Sequence, residues 1–440
     1  MKYTTKLLSV VLVVCMILCA FVACTPEENE PEHVDYAASV KLDMNSSTLK
    51  EEVTVKSYID GDTTHFHVPA SVSPTKVLKA RYLAINTPES TGKIEEWGKK
   101  ASNFTKEKLQ NATSIIIESD NGTWNPDSTG GRYLVWVWYK TADSADYRNL
   151  NIEILQNGLA IASNSAQNRY GETCVAAINQ AKAEKLCVYS NEKDPDFYYG
   201  TAIELDLREL RTNIESYDGQ KVAFNGIVTR DSGGSVYIES YDEETGLYYG
   251  ISAYYGTGGL TGKGLEIISI GNEVRIVGTV SYWAEGGVYQ ISDLKYRAMK
   301  PSDPENIQKI SDGNDPAYVL TPADTFANGK VEVTVGDETK SFGYAELTLD
   351  TTIKMENLVV KSCYTTDDDA SSSKGAITLT CEVDGVTVSV RTNVLFDGEG
   401  NIVTQDFFEG KTITVKGLVG SFKGSYQIKV LTLNDITILN

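Results

Sequence analysis

The chain has 440 residues, a formal charge of −20, 41% hydrophobic and 23% charged residues. Those fractions exclude a wholly disordered or collagen-like chain, and the length predicts two to four domains. The acidic balance excludes a protein that coats polyanions along its whole length, because such proteins neutralise phosphates with surplus Lys and Arg. With 25 Tyr, 36 Gly and few long helical patterns, the composition favours a mainly β fold.

Residues 1–6 carry two lysines, residues 7–23 are apolar almost throughout, and Cys24 is followed by an acidic run. A basic start, an apolar stretch and a small residue before the cut predict a secretory signal over 1–23. A single spanning anchor is the alternative, although 17 residues sit at the short end for crossing a bilayer. The local FVAC resembles a bacterial lipobox, in which Cys24 is the lipidation site. An exported protein tethered to the outer face of a membrane through a lipid anchor is the expectation, with residues 24–35 as an acidic spacer.

From 36 to 192 the pattern predicts strands at 53–58, 76–85, 113–119 and 132–140. A helical period covers 95–111, with Trp97, Ala101, Phe104 and Leu109 on one side. Two more helices are predicted at 150–157, stopped by Gly158, and at 174–186. This region holds 17 basic and 18 acidic residues, net −1, whereas 193–440 holds 21 and 37, net −16. The first region can therefore host phosphate chemistry, and the tail is unsuited to coating DNA.

Beyond residue 200 the sequence repeats. GNEVRIVGTVSYWAEGGVYQI (271–291) matches GKTITVKGLVGSFKGSYQI (410–428), and a strand pair precedes each copy. Strands of this length with Gly breaks suit small closed barrels. Two OB-like modules are predicted, at 200–300 and 318–440, with a lead-in helix at 205–214 and a linker at 301–317. Cys363 and Cys381 flank a polar turn, TTDDDASSSKG, and are candidates for a disulfide across paired strands. Cys174 and Cys187 are about 20 Å apart on an unbroken helix, too far to bridge. Only three His are present, His33, His65 and His67, so a Cys/His metal site is not expected. The tail's aromatic residues, Tyr248, Tyr249, Tyr254, Tyr255, Tyr282, Trp283 and Tyr289, allow base stacking, but in so acidic a region a spacer, partner-binding or cell-surface role is favoured over it.

The densest chemistry lies in YIDGDT (58–63), ARYLAINTPES (80–90) and TGGRYLVWV (129–137). Taken alone, DGDT is a turn with two carboxylates. Arg81 inside an apolar strand is more demanding, because an inward guanidinium needs an anionic partner. Arg132 at the start of an aromatic strand raises the same question. Together these residues describe a phosphodiesterase site. It needs hard oxygen donors for a divalent cation, a carboxylate to position water and fixed cations for the charge that builds on phosphorus. Asp62 and Asn86 offer the oxygens, Glu89 the carboxylate, and Arg81 and Arg132 the cationic forks.

The order IDGDT, RYLAINTPES, WGKKASNFTKEKL, GGRYL, LNIEILQNGLA and AKAEKLCVYS resembles the thermonuclease (staphylococcal nuclease-like) family over about 50–190. The resemblance implies an OB-type five-stranded barrel with three helices at 36–192. It also implies an endonuclease that hydrolyses DNA and RNA with calcium, breaking the P–O5′ bond to leave 3′-phosphates. By position it implies Asp62, Asn86 and the Thr87 carbonyl as the calcium-binding set. Arg81, Glu89 and Arg132 are the implied catalytic groups, and Asp60 an acid that shapes the pocket. No organic cofactor is implied. The chain departs from the family at Asn86, where an aspartate is usual, and at IASNSAQN (161–168), which has no tyrosine to stack on a nucleotide. The alternative is a catalytically inactive nuclease-like module that binds nucleic acid or a partner at the cell surface.

Overall fold

The computed structural model describes residues 33–91, 94–256, 259–336, 338–369 and 371–439. The predicted signal, Cys24 and most of the spacer lie outside the described residues. Five strands build the first barrel: β1 (Lys50–Asp60), β2 (Thr63–His67), β3 (Val77–Tyr82), β4 (Ser114–Glu118) and β5 (Tyr133–Lys140). Helix α1 (Gly98–Gln110) links β3 to β4, and α2 (Leu150–Gln156) and α3 (Gly171–Ala183) follow β5. The order β3-β2-β1-β4-β5 closes through a parallel β3–β5 pair. Every predicted strand and helix of this region is present, with ends shifted by a few residues. Strand β5 reads as a continuous apolar run because both its faces are covered: Val135, Trp136, Val137 and Trp138 are each fully buried.

One buried amide holds the closure in place. The Asn151 side chain accepts from the Val137 N–H and donates to the Leu83 and Val135 carbonyls at 3.0 Å each. It thus ties α2 to the end of β3 and the middle of β5, where unpaired backbone groups would otherwise be costly.

Two further barrels follow. The second has strands Lys221–Asp231, Ser235–Asp242, Leu247–Tyr254, Glu273–Trp283 and Val288–Ser292. The third has Thr352–Thr365, Ile377–Val383, Val386–Thr392, Thr412–Phe422 and Ser425–Val430. In all three barrels the fourth strand pairs antiparallel with the first, and the third pairs parallel with the fifth. The fold is therefore mainly β, three barrels of one topology in tandem.

The segment expected as a free linker at 301–317 is not one. Gln308–Ser311 adds to the second barrel as an edge strand, pairing with Glu273–Arg275. Ile307 beside it is fully buried in that barrel's core. Barrels two and three also share buried polar contacts. Glu239 accepts from the Thr352 N–H at 2.7 Å and the Ala317 N–H at 2.9 Å, and Asp350 accepts from the Ser252 N–H at 2.9 Å. The expected Cys363–Cys381 disulfide is absent: both thiols are free. The strand register sets Cys381 opposite Val360 and Cys363 opposite Leu379, so the two cysteines are not cross-strand partners. Burial pushes the Cys381 thiol up to about 12, which keeps it inert.

Candidate active site

The DGDT turn between β1 and β2 is fixed by close packing. A Cβ on Gly61 would lie 2.9 Å from the Thr87 side chain and 3.0 Å from the Ala101 Cβ, so only glycine lets the turn approach α1. The Thr105 hydroxyl on α1 donates to the Gly61 carbonyl at 2.5 Å, and the Tyr82 N–H donates to the Asp62 carbonyl at 2.8 Å. The turn is pinned from two sides, and Asp62 is 1% exposed.

Asp62 answers the question that Arg81 posed. The Arg81 guanidinium donates through Nη1 to Asp62 Oδ1 and through Nη2 to Asn86 Oδ1. The other Asp62 oxygen, Oδ2, accepts from the Thr87 N–H at 2.9 Å. Burial pushes the Asp62 carboxyl up, against the opposing pull of Arg81, the Thr87 N–H and the Thr63 hydroxyl.

Asp60 sits beside this pair. Its Oδ1 accepts from the Gly61 N–H at 2.8 Å and the Ser90 hydroxyl at 2.7 Å. Burial raises its carboxyl to about 8, helped by a hydrogen bond with Glu89 and by that neighbour's charge. Burial thus favours the protonated form of Asp60, a carboxyl paired to a second carboxyl. Glu89 itself is exposed, on the loop after Pro88. That loop is fastened by its backbone: the Glu95 N–H donates to the Glu89 carbonyl at 2.9 Å. Gly98 at the start of α1 lies so close that a Cβ there would be 2.2 Å from the same carbonyl.

Arg132 immediately precedes β5, whose parallel register sets Ala80 opposite Tyr133 and Arg81 opposite Leu134. Its Nε donates to Asp127 Oδ2 at 2.7 Å, and Asp127 Oδ1 accepts from the Thr129 N–H and hydroxyl. Burial pushes the Asp127 carboxyl up, but the Thr129 and Arg132 contacts outweigh it and leave it below the ordinary carboxylate value. Sequence reading did not single out Asp127. Its signal was there in Asp127-Ser128-Thr129, an acid that folds back on the residue two positions on, five residues before Arg132.

Asp62, Asn86 and Thr87 fit a hard dication in donor type. One guanidinium spans Asp62 Oδ1 and Asn86 Oδ1, so the two oxygens already converge on a cation. The Thr87 hydroxyl is buried with no hydrogen-bond partner, a further oxygen without an assigned role. All of these are oxygens, as calcium prefers. The set has one carboxylate. Among the described residues no three His, Cys, Asp or Glu side chains gather as a metal cluster. His65 stands apart on β2, where burial and then Lys79 and Lys56 push its imidazole down to about 4.

Residues 79–191 match the family described as staphylococcal nuclease homologue. A thermonuclease from Staphylococcus intermedius is 28% identical over 143 residues, which is 32% of this chain and 76% of the relative. The matched stretch contains Arg81, Glu89 and Arg132 and begins inside β3. Barrel, helices and match agree within this domain: over residues 79–191 the chain is similar to the staphylococcal nuclease homologue family, and the similarity to a thermonuclease lies in the same part of the chain.

Proposed function

We propose that the chain is an exported, membrane-anchored, calcium-dependent nuclease that hydrolyses phosphodiester bonds of DNA and RNA at P–O5′ and leaves 3′-phosphates. The observation that carries this reading is the buried Arg81–Asp62–Asn86 pairing with Asp60 and Glu89 beside it, in the domain that is similar to the family. Two guanidiniums give planar donors to a phosphate that gains charge in the transition state. Each is oriented by a carboxylate, Asp62 for Arg81 and Asp127 for Arg132, so little side-chain freedom is lost on binding. Glu89 is the exposed carboxylate that positions and deprotonates the attacking water. Asp60 lies beside it, hydrogen-bonded to it, and burial of Asp60 favours its uncharged form. Asp62, Asn86 and the Thr87 carbonyl would hold calcium, which when bound supplies positive charge for the reacting phosphate.

A second reading has its own observation: Arg81 is engaged by both Asp62 and Asn86, which suits a site that binds and does not cut. Plasmid cleavage by the chain from residue 25 onward, titrated with calcium, separates the two. Cleavage that rises with calcium and stops in excess chelator supports the nuclease. No cleavage at any calcium concentration leaves the binding module.

A further inference from the structure

Three of the tail's exposed aromatic side chains, Tyr282, Trp283 and Phe422, stand together. In the second and third barrels the fourth and fifth strands form a hairpin, and the two hairpin turns touch. The Lys423 N–H donates to the Gly286 carbonyl at 3.1 Å, and the Lys423 Cα lies 3.4 Å from where a Cβ on Gly287 would stand. Around that touch stand Tyr282, Trp283 and Phe422, which are 52%, 46% and 52% exposed. Tyr282 packs on Tyr289 with ring centroids 5.0 Å apart. The Trp283 ring lies over Gly286, and the Lys423 ammonium is 5.3 Å from the Phe422 ring. Large rings left half in water cost free energy that a covering partner recovers.

The place of this ridge is as informative as its composition. Gly98 abuts the Glu89 carbonyl at the candidate active site, and the next residue, Lys99, pairs with Asp218 of the second barrel at 3.1 Å. The Gly219 N–H then donates to the Val280 carbonyl at 2.9 Å. Val280 is two residues from Tyr282 on one strand, about 7 Å. A continuous path of contacts thus joins the catalytic loop to the ridge. In the first barrel, by contrast, Tyr133 is the one exposed aromatic ring among the described residues.

We propose that this ridge stacks the bases of a single-stranded nucleic acid and holds the strand that passes the candidate active site. The proposal rests on the nuclease reading above. The rings, not charge, would carry binding. With 21 basic and 37 acidic residues over 193–440, the tail offers no cationic track for phosphates, so a duplex, which hides its base faces, has nothing to bind to. A single strand offers its base faces to the rings and turns its phosphates to water. Lys423 is the cation at the ridge itself. Binding through rings more than through cations also predicts a shallow salt dependence.

The test uses the full chain in excess chelator, so that no strand is cut, and fluorescein-labelled oligodeoxythymidine as the probe. Each stacked base is worth about 5- to 150-fold in affinity. Trp283→Ala combined with Phe422→Ala should therefore raise the Kd for the oligonucleotide about 25-fold or more. Trp283→Tyr with Phe422→Tyr should restore it, and the melting temperature should stay at the native value, since the rings are half exposed. A chain that binds the oligonucleotide in this way but cuts nothing in calcium would sink the nuclease reading and leave the ridge standing. An oligonucleotide affinity unchanged by the two alanines overturns the proposal. So does binding of a neutral polysaccharide that exceeds oligonucleotide binding and is lost with the same two rings.

Discussion

Replacing Asp127 with Ala tests whether Arg132 acts as a fixed fork or as a loose charge. Asp127 touches no substrate position; its Oδ2 holds Arg132 Nε at 2.7 Å, and its Oδ1 holds the turn through Thr129. Losing a preorganised donor entirely, as in Arg132→Ala, costs about 3–4 kcal/mol, or about 10²- to 10³-fold in rate. Asp127→Ala leaves the charge and releases the side chain, whose rotamer freedom is worth about 2 kcal/mol. That converts to a loss of at most about 30-fold in kcat/KM. The ion pair itself is exposed enough, with the Arg132 side chain 33% exposed, to contribute only about 0.2–1 kcal/mol to stability. Steady-state cleavage of a short oligonucleotide, with a thermal melt of each variant, gives both quantities. The expected order is native, then Asp127→Asn, then Asp127→Ala, then Arg132→Ala, with melting temperatures close together. An Asp127→Ala enzyme as active as native refutes the reasoning. So does one whose loss equals that of Arg132→Ala and is accompanied by a large fall in melting temperature.

Asn86→Asp should lower the calcium concentration for half-maximal cleavage, because an anionic oxygen attracts a dication more strongly than an amide does; calorimetric titration of calcium reads the same shift without activity, and weaker binding would exclude residue 86 as a ligand. Gly98→Ala should displace the Glu89 loop, since its Cβ would meet the Glu89 carbonyl at 2.2 Å; a misplacement of this kind costs about 10²-fold in rate, and a native rate in the purified variant would show that the loop tolerates the shift. Cys24→Ser should release the protein from the membrane fraction or leave it unprocessed; a variant that still sediments with membrane at its normal mature mass rules out the lipid anchor.

Much of the first barrel was legible because its signals are local. The apolar runs of β4 and β5, the helical period of α1 and the DGDT turn each lie within a few residues. Arg81 stood out as a charge in an apolar strand, and its partner Asp62 came from a motif already singled out. The pairing itself, Arg81 bridging Asp62 and Asn86, depends on β2–β3 register and could not be read from spacing. Asp127 was missed because an acid in a Ser-Thr-Gly turn reads first as turn chemistry. The disulfide failed because strand register is not written in spacing: Cys381 lies opposite Val360 and Cys363 opposite Leu379, so the two are not cross-strand partners. The linker failed because an edge strand such as Gln308–Ser311 exists through the free edge it joins. The topology shared by all three barrels was legible only as a repeat between the last two, since strand order is set by long-range pairing and not by residue pattern.

The most direct measurement compares native protein with Glu89→Gln in plasmid cleavage at saturating calcium. The substitution keeps the shape of the exposed side chain and removes its capacity to take a proton from water. The account predicts that Glu89→Gln binds the same oligonucleotide in chelator as tightly as native, and cleaves at least about 10²-fold more slowly, within the range that general-base catalysis supplies. Cleavage by Glu89→Gln at the native rate would contradict the assignment of this barrel end as the catalytic site.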